Sequence, residues 1–240
     1  MSCECSVCCK QDNISLTNLK SYGLILFQPS KGYRFSVDAL LLAEFVSLKK
    51  RAKVMELGTG TGVIGLILAK KFPDAQIHAI EIQEGLYELA KRNIQENNLG
   101  NIQVERQDIR LLKEIFPPGR FDHIVTNPPF RPTSSGRLCP NPQEAISRHE
   151  ILVTLEDIIE AAVWLLRPGG RFSLIYPAER LAFLLTSMSL KCIEPKRLCC
   201  VHPNLNSQAR MVLVEGIKNA GVEVKVEPPR FLNEESKKRG

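Results

Sequence analysis

From residue 53 onward, short β-branched runs alternate with segments of helical spacing, and this alternation restricts the possible folds more than any other feature. "AKVMELG", "AQIHAIEI", "IQVERQD", "FDHIVTNPP" and "RFSLIYP" read as strands. Between them lie "VIGLILAKKF", "GLYELAKRNIQENN", a short segment behind the third strand, and "TLEDIIEAAVWLL", which "RPGG" ends; these read as helices. Parallel neighbours need a crossover long enough to hold a helix, so repeated β-α order predicts an α/β domain whose sheet is covered on both faces. "ERLAFLLTSMS" adds a helix, "KCIEPKRLCCVHP" a sixth strand and "ARMVLVEGIK" a seventh. No helix parts the last two, so they are expected to pair antiparallel. Upstream, "SYGLILFQP" reads as a further strand, and the chain then turns at Gly32 into a helix that Ser36 can cap. Ala39, Leu42, Phe45 and Val46 mark its buried face.

The first of these strands runs into "ELGTGTGVIG", a glycine turn that opens a helix. Glycines there let the backbone approach a ligand where a β-carbon would block it. Gly60, Gly62 and Gly65 fit the dinucleotide pattern G-x-G-x-x-G, whereas Gly58, Gly60 and Gly62 behind Glu56 fit the E-x-G-x-G-x-G of S-adenosylmethionine (SAM) sites. The turn alone says only that a nucleotide-like ligand sits at the strand end. Glu81 ends the second strand, where an acid can accept bonds from both ribose hydroxyls of either ligand. Glu56 can face a methionine ammonium, which suits SAM better than a pyrophosphate. Asp108 after the third strand can accept from an adenine amine with Ile109 against the ring, or can cap a helix. Thr59 within the turn and Ile82 beside Glu81 complete this candidate cofactor set.

"NPPF", residues 127–130, decides between the two ligands. An exocyclic base amine is a poor nucleophile because its lone pair is delocalised into the ring. The Asn127 amide oxygen and the Pro128 carbonyl can each accept one amine hydrogen, and such bonds strengthen as positive charge develops on nitrogen. Pro128 and Pro129 stiffen the carbonyls and remove competing N–H donors, and Phe130 offers a stacking face for a flipped or unpaired base. These four form the candidate catalytic set, and Asn127 also counts among the cofactor contacts. A rigid turn that merely ends a strand is the plainer explanation for Asn-Pro-Pro. Its place after the fourth strand, in a sheet whose first strand carries the glycine turn, favours the chemical one.

The chain of 240 residues suits one α/β domain. The expected division is a cysteine-rich, mobile tail at 1–20, a catalytic domain at 21–220 and a C-terminal tail at 221–240. The net charge of +6 is a basic excess that favours an anionic partner such as nucleic acid. No apolar run approaches the roughly 18 residues of a membrane span, and "MSCECSVCCK" lacks the apolar region of a secretory signal; a cytoplasmic location is the expectation. Cys3, Cys5, Cys8 and Cys9 could close a tetrahedral zinc site, but their crowded spacing fits a metal poorly and none is assigned. The internal cysteines Cys139, Cys192, Cys199 and Cys200 are read as small buried apolar residues.

With these motifs in view, the chain resembles class I SAM-dependent methyltransferases of the amino-methylating type. More narrowly it resembles the bacterial tRNA adenine-N6 methyltransferases that act on valine tRNA beside the anticodon. The resemblance runs from about residue 23 to 216 and rests on "GYRFSVDALLLAEFV", "ELGTGTGVIG", "IEIQ", "DI", "NPPF" and "SRHE". It implies a Rossmann-like fold with a seven-stranded, mostly parallel sheet and an antiparallel last strand, SAM as cofactor, and adenine N6 in the anticodon loop as acceptor. It also implies that Phe35, Ser36 and Asp38 lie by the cofactor's methionine end, although Ser36 and Asp38 equally suit helix capping. Arg148 and His149 can meet phosphate or close over the substrate. Phe130 stands where adenine-N6 enzymes often carry tyrosine, and the same form occurs in guanine-N2 rRNA methyltransferases.

Other acceptors are therefore guanine N2 of rRNA, DNA adenine or a protein glutamine. A non-catalytic RNA-binding protein on the same fold is a reading of another class. A dinucleotide-dependent oxidoreductase would leave "NPPF" unexplained. Arg131, Arg137, Arg148, Lys196 and Arg197 are the candidate RNA-binding residues. No obligate protein partner and no membrane are expected; a monomer or homodimer would serve.

Overall fold

The computed structural model describes residues 14–32, 34–128 and 153–232. The seven expected strands form and are, in the order met, β3 (Lys53–Leu57), β4 (Gln76–Glu81), β5 (Ile102–Arg106), β6 (Phe121–Thr126), β7 (Leu166–Pro177), β8 (Ile193–His202) and β9 (Met211–Lys218). β1 (Ile14–Leu19) and β2 (Leu24–Pro29) precede them as a separate hairpin, and β10 (Lys225–Phe231) follows. The large sheet has the order β10-β8-β9-β7-β6-β3-β4-β5. β9 pairs antiparallel with both β7 and β8, as the missing helix between β8 and β9 requires.

Among the described residues six helices cover the sheet: α1 (Val37–Phe45), α2 (Val63–Lys71), α3 (Glu84–Glu96), α4 (Leu112–Ile115), α5 (Leu155–Leu165) and α6 (Leu181–Leu190). Alternation along each strand sends side chains to two cores. Val54, Val125 and Leu213 pack with α1 and α2, while Met55, Ile124, Val212 and Val214 pack with α4, α5 and α6. Thr154 starts α5 with a capping box, its hydroxyl accepting from Asp157 N at 3.1 Å. The helix ends at Leu165, one turn before the glycines, and β7 already takes in "RPGG" as an irregular start.

Three features depart from the sequence reading. Among the described residues the sheet has eight strands rather than seven, because β10 docks parallel to β8 in a stretch read as tail. Its Pro228 and Pro229 fall at a register break, where an edge strand tolerates residues without N–H donors. β1 likewise forms within the span assigned to the N-terminal tail. Finally, Cys192 is exposed, with a positive φ of 61°, so among the described residues only Cys199 and, less fully, Cys200 behave as buried apolar cysteines.

The hairpin is held by two asparagines rather than by sheet pairing. Asn93 on α3 accepts from Phe27 N at 2.7 Å and donates to Phe27 O and Thr61 O; Asn97 repeats the pattern on Ile25. Side-chain amides thus stand in for a neighbouring strand along the edge of β2. The clue in the sequence was a polar Asn93 on the same helical stripe as Leu86 and Ala90.

Candidate active site

Strand order reverses direction between β3 and β6: β4 and β5 lie on one side of β3, β6 and β7 on the other. A crevice opens at the carboxyl ends of strands at such a switch point. The ends of β3, β4 and β6 carry Glu56, Glu81 and Asn127, and Asp108 follows β5.

The glycine turn begins directly after Leu57. Gly58, Gly60 and Gly62 have φ of 71°, 60° and 90°, three left-handed residues within five, which only glycine adopts without strain. Thr59 N donates to Ile80 O and Gly62 N to Thr59 O, folding the turn back across β4. Gly65, one turn into α2, serves a different purpose. A β-carbon there would stand 2.7 Å from Glu56 Oε2, so the missing side chain makes the seat for the Glu56 carboxylate.

Glu56 is buried, and its Oε2 accepts from Thr59 Oγ1 at 2.7 Å. Burial pushes its pKa up to about 8; the bonds from Thr59 and the Gly65 amide pull the other way, and the Glu81 charge adds to the rise. Its Oε1 is buried with no partner among the described residues. An approaching ammonium would find an acceptor there that the fold leaves open. Glu81 is also buried, and its two oxygens accept from Gly60 N at 2.8 Å and Gln83 N at 2.9 Å. This carboxylate therefore orders the turn, and each oxygen retains a lone pair for a ribose hydroxyl.

At β6, Thr126 Oγ1 donates to Leu57 O at 2.9 Å, locking the last residues of the two central strands together. Asn127 follows immediately, and its Oδ1 is buried with no partner among the described residues; Pro128 is buried too. Four buried side-chain atoms lack partners among the described residues, and three of them belong to Glu56 on β3, Thr61 in the glycine turn and Asn127 at the end of β6. An unmet buried acceptor is costly, and a cluster of them marks a place where a ligand supplies the missing bonds.

The remaining candidates divide. Asp108 caps the turn of residues 109–111 through Arg110 N and pairs both oxygens with the Arg110 guanidinium, which holds its carboxyl below the usual range. Its capping role is realised, and Ile109 and Ile82 are half-buried beside it and Glu81. Ser36 occupies the N-cap position of α1, but its hydroxyl donates to Asp38 at 2.9 Å instead of capping. Phe35 packs against the α1–α2 core, and among the described residues no hydrogen bond joins Phe35, Ser36 or Asp38 to the glycine turn. Lys196 donates to Gly221 O. Arg197 is engaged by Glu227 and Glu215 and lies over the Phe45 ring, so its charge is spent inside the fold. Pro129, Phe130, Arg131, Arg137, Arg148, His149, Cys139 and the cysteines of 1–9 lie outside the described residues. Among the described residues no cluster of His, Cys, Asp or Glu could hold a metal, and no helix is long and apolar enough to cross a membrane.

Comparison with known proteins agrees with this geometry. Residues 35–182 match the methyltransferase small domain family. A tRNA1(Val) (adenine(37)-N6)-methyltransferase of Porphyromonas gingivalis is 32% identical over 189 residues, covering 76% of this chain and 73% of that protein. One from Vibrio campbellii is 26% identical over 212 residues, covering 88% and 87%. One from Bacteroides thetaiotaomicron is 32% identical over 148 residues, where the match spans 61% of this chain and 60% of the relative. In structure, a protein of Agrobacterium tumefaciens described as a predicted O-methyltransferase superposes with a TM-score of 0.66 at 22% identity, covering 82% of this chain and 88% of that one. A SAM-dependent methyltransferase from Aquifex aeolicus gives 0.55 at 16% identity, covering 75% and 89%; both establish the class I methyltransferase fold alone. With a matching family profile across most of the domain and a relative similar over three quarters of both chains, the chain belongs to the methyltransferase small domain family, among its tRNA1(Val) (adenine(37)-N6)-methyltransferases.

Proposed function

We propose that this chain transfers a methyl group from SAM to the exocyclic N6 amine of an adenine in tRNA, in the anticodon loop next to the anticodon. The observation that carries the reading is the buried Oδ1 of Asn127, unpartnered among the described residues, one residue beyond the locked pair Leu57–Thr126 and beside the glycine turn. The names of the relatives, each a tRNA1(Val) (adenine(37)-N6)-methyltransferase, support adenine in tRNA over the other acceptors.

The residues present fit the cofactor. Glu56 offers an open acceptor for the methionine ammonium, the turn from Gly58 to Gly62 a cradle without side-chain bulk, and Glu81 and Asp108 acceptors for ribose and adenine. When bound, SAM supplies a sulfonium methyl group that the amine nitrogen takes up as the C–S bond breaks with its electron pair to sulfur. The Asn127 amide oxygen and the Pro128 carbonyl each hold one amine hydrogen, orienting the nitrogen lone pair. Both bonds strengthen as nitrogen becomes positive, so they favour the transition state over the ground state. The proton leaves after the new C–N bond has formed, so no strong base is needed beside the amine. Pro129 and Phe130 complete the set, with Phe130 stacking on the base. An anticodon loop already exposes its bases, which lowers the cost of bringing one to Asn127. Arg131, Arg137 and Arg148 supply phosphate contacts in this reading. Cytoplasmic action on tRNA accords with it.

The test is methyl transfer from labelled SAM to unmodified bulk tRNA, followed by digestion and mass spectrometry of the nucleosides. N6-methyladenosine is expected, and Asn127→Ala should lower kcat about 10²- to 10³-fold while SAM still binds. Bound SAM with unlabelled tRNA would reject the acceptor but keep the cofactor; rRNA, DNA and protein would then be offered in turn.

A further inference from the structure

β7 outruns β6 on the catalytic edge of the sheet. Leu174 pairs with Thr126, so Tyr176 stands two residues further along, level with Pro128 beyond β6. The chain then passes through the turn Ala178–Arg180 into α6. Here the Arg180 guanidinium lies 5.6 Å from the centroid of the Tyr176 ring and 5.2 Å from that of Phe183. α6 buries Leu184 and Met188 in the core yet leaves Phe183 42% exposed on the neighbouring face. Ala178 N donates to Arg210 O at 3.0 Å, which places the exposed Arg210 at the same edge.

Arg180 and Arg120 each lie over two aromatic rings without an ion pair among the described residues, but Arg120 precedes β6 and so sits at the opposite end of the sheet from Asn127. Arg106, Arg110, Arg167, Arg171 and Arg197 each meet a carboxylate, whereas Arg180 has no ion pair among the described residues. Glu179, its neighbour in the chain, and Glu156, whose charge reaches Tyr176, are exposed, and neither pairs with Arg180 among the described residues. Two aromatic rings instead lie within cation–π reach of the guanidinium. An arginine beside an exposed aromatic face is the equipment that single-stranded nucleic-acid sites use, one group for phosphate and the other for a base.

We propose that Arg180 and Phe183 form a shelf that holds a nucleotide flanking the target base, Phe183 stacking on its base and Arg180 meeting its phosphate. The occupant is single-stranded RNA, because the shelf continues the Asn127 edge and joins a positive fork to a flat apolar face. The inference rests on the tRNA reading above and deepens it. Both are positioning residues: they act on substrate hold and take no part in the transfer itself.

Steady-state kinetics with tRNA and SAM test this. Arg180→Ala and Phe183→Ala should each raise KM for tRNA about tenfold, with kcat at saturating tRNA and SAM affinity unchanged. Phe183→Tyr should restore KM, since stacking survives. Arg180→Ala alone should flatten the slope of log kcat/KM against log salt by about one phosphate contact. If wild type methylates tRNA and neither alanine variant moves KM, the shelf is wrong and the tRNA reading stands. A change in oligomeric state in place of KM would also overturn it, by making the patch a contact between copies. If wild type leaves tRNA unlabelled, both readings fall together. Unchanged SAM affinity shows in each case that the variant is folded.

Discussion

The sheet buries polar side chains in two regions and treats them in opposite ways. At the switch point, Glu56, Thr61 and Asn127 each keep a buried atom without a partner among the described residues. Under α1, by contrast, a row across five strands closes on itself. His123 Nε2 lies 2.8 Å from Ser173 Oγ, Ser173 donates to Glu215, Arg171 and Arg197 converge on Glu215, and Glu227 of β10 completes the row through Arg197. Since Ser173 gives its proton to Glu215, His123 Nε2 is the donor to Ser173. The arrangement of His, Ser and Glu invites comparison with a hydrolase triad, but the carboxylate is on the serine and not the histidine, so it cannot orient a base. A closed network of this kind holds strands in register, while open acceptors await a ligand.

The largest effect should come from opening the closed row. Glu215→Ala leaves two arginines without their shared counter-ion and should cost about 3 kcal/mol in urea unfolding, with loss of the β8–β10 edge first. A cost below about 1 kcal/mol would mean that the row is dispensable and the contrast unfounded.

Next comes pH, where the two regions act at opposite ends. Glu56 is pushed from 4.5 up to about 8, so in that window the folded chain holds a proton that the unfolded chain has released, and stability falls as pH rises. Burial, with Arg171 and Arg197 nearby, pushes His123 from 6.5 down to about 3. Between those values the unfolded chain binds the extra proton, and stability falls as pH drops. From 4.5 to 6.5 the two slopes cancel, leaving a plateau. Unfolding in urea across this range should show Glu56→Gln removing the alkaline loss and His123→Asn the acid one. An alkaline loss that persists in Glu56→Gln would place its cause elsewhere.

The smallest effect is expected at Lys196, whose ammonium, among the described residues, meets only the Gly221 carbonyl at the surface. Lys196→Ala should change stability by no more than about 0.5 kcal/mol and leave the tRNA KM unaltered. A raised KM would bring this part of the sheet back into RNA binding.

The alternation that predicts the sheet, the turn at Gly58–Gly62, Glu56, Glu81 and the Asn127–Pro128 strand end are all legible in sequence, because each depends on neighbours within a few residues. A glycine turn needs positive φ wherever it occurs, and a two-residue alternation reports two covered faces without any knowledge of what covers them. The role of Arg197 is another matter. In sequence it is one basic residue beside Lys196; in the fold, pairing across β8 and β9 sets it opposite Glu215, and docking of β10 adds Glu227. The same holds for Asn93 against Phe27, for Gly65 beneath the Glu56 carboxylate, and for Arg180 between Tyr176 and Phe183. Local propensity and turn chemistry were settled by the sequence itself, since the forces behind them act along the chain. Which charges are spent inside the fold and which acceptors stay open was settled only by tertiary structure, because partners distant in sequence had first to be brought within hydrogen-bonding reach.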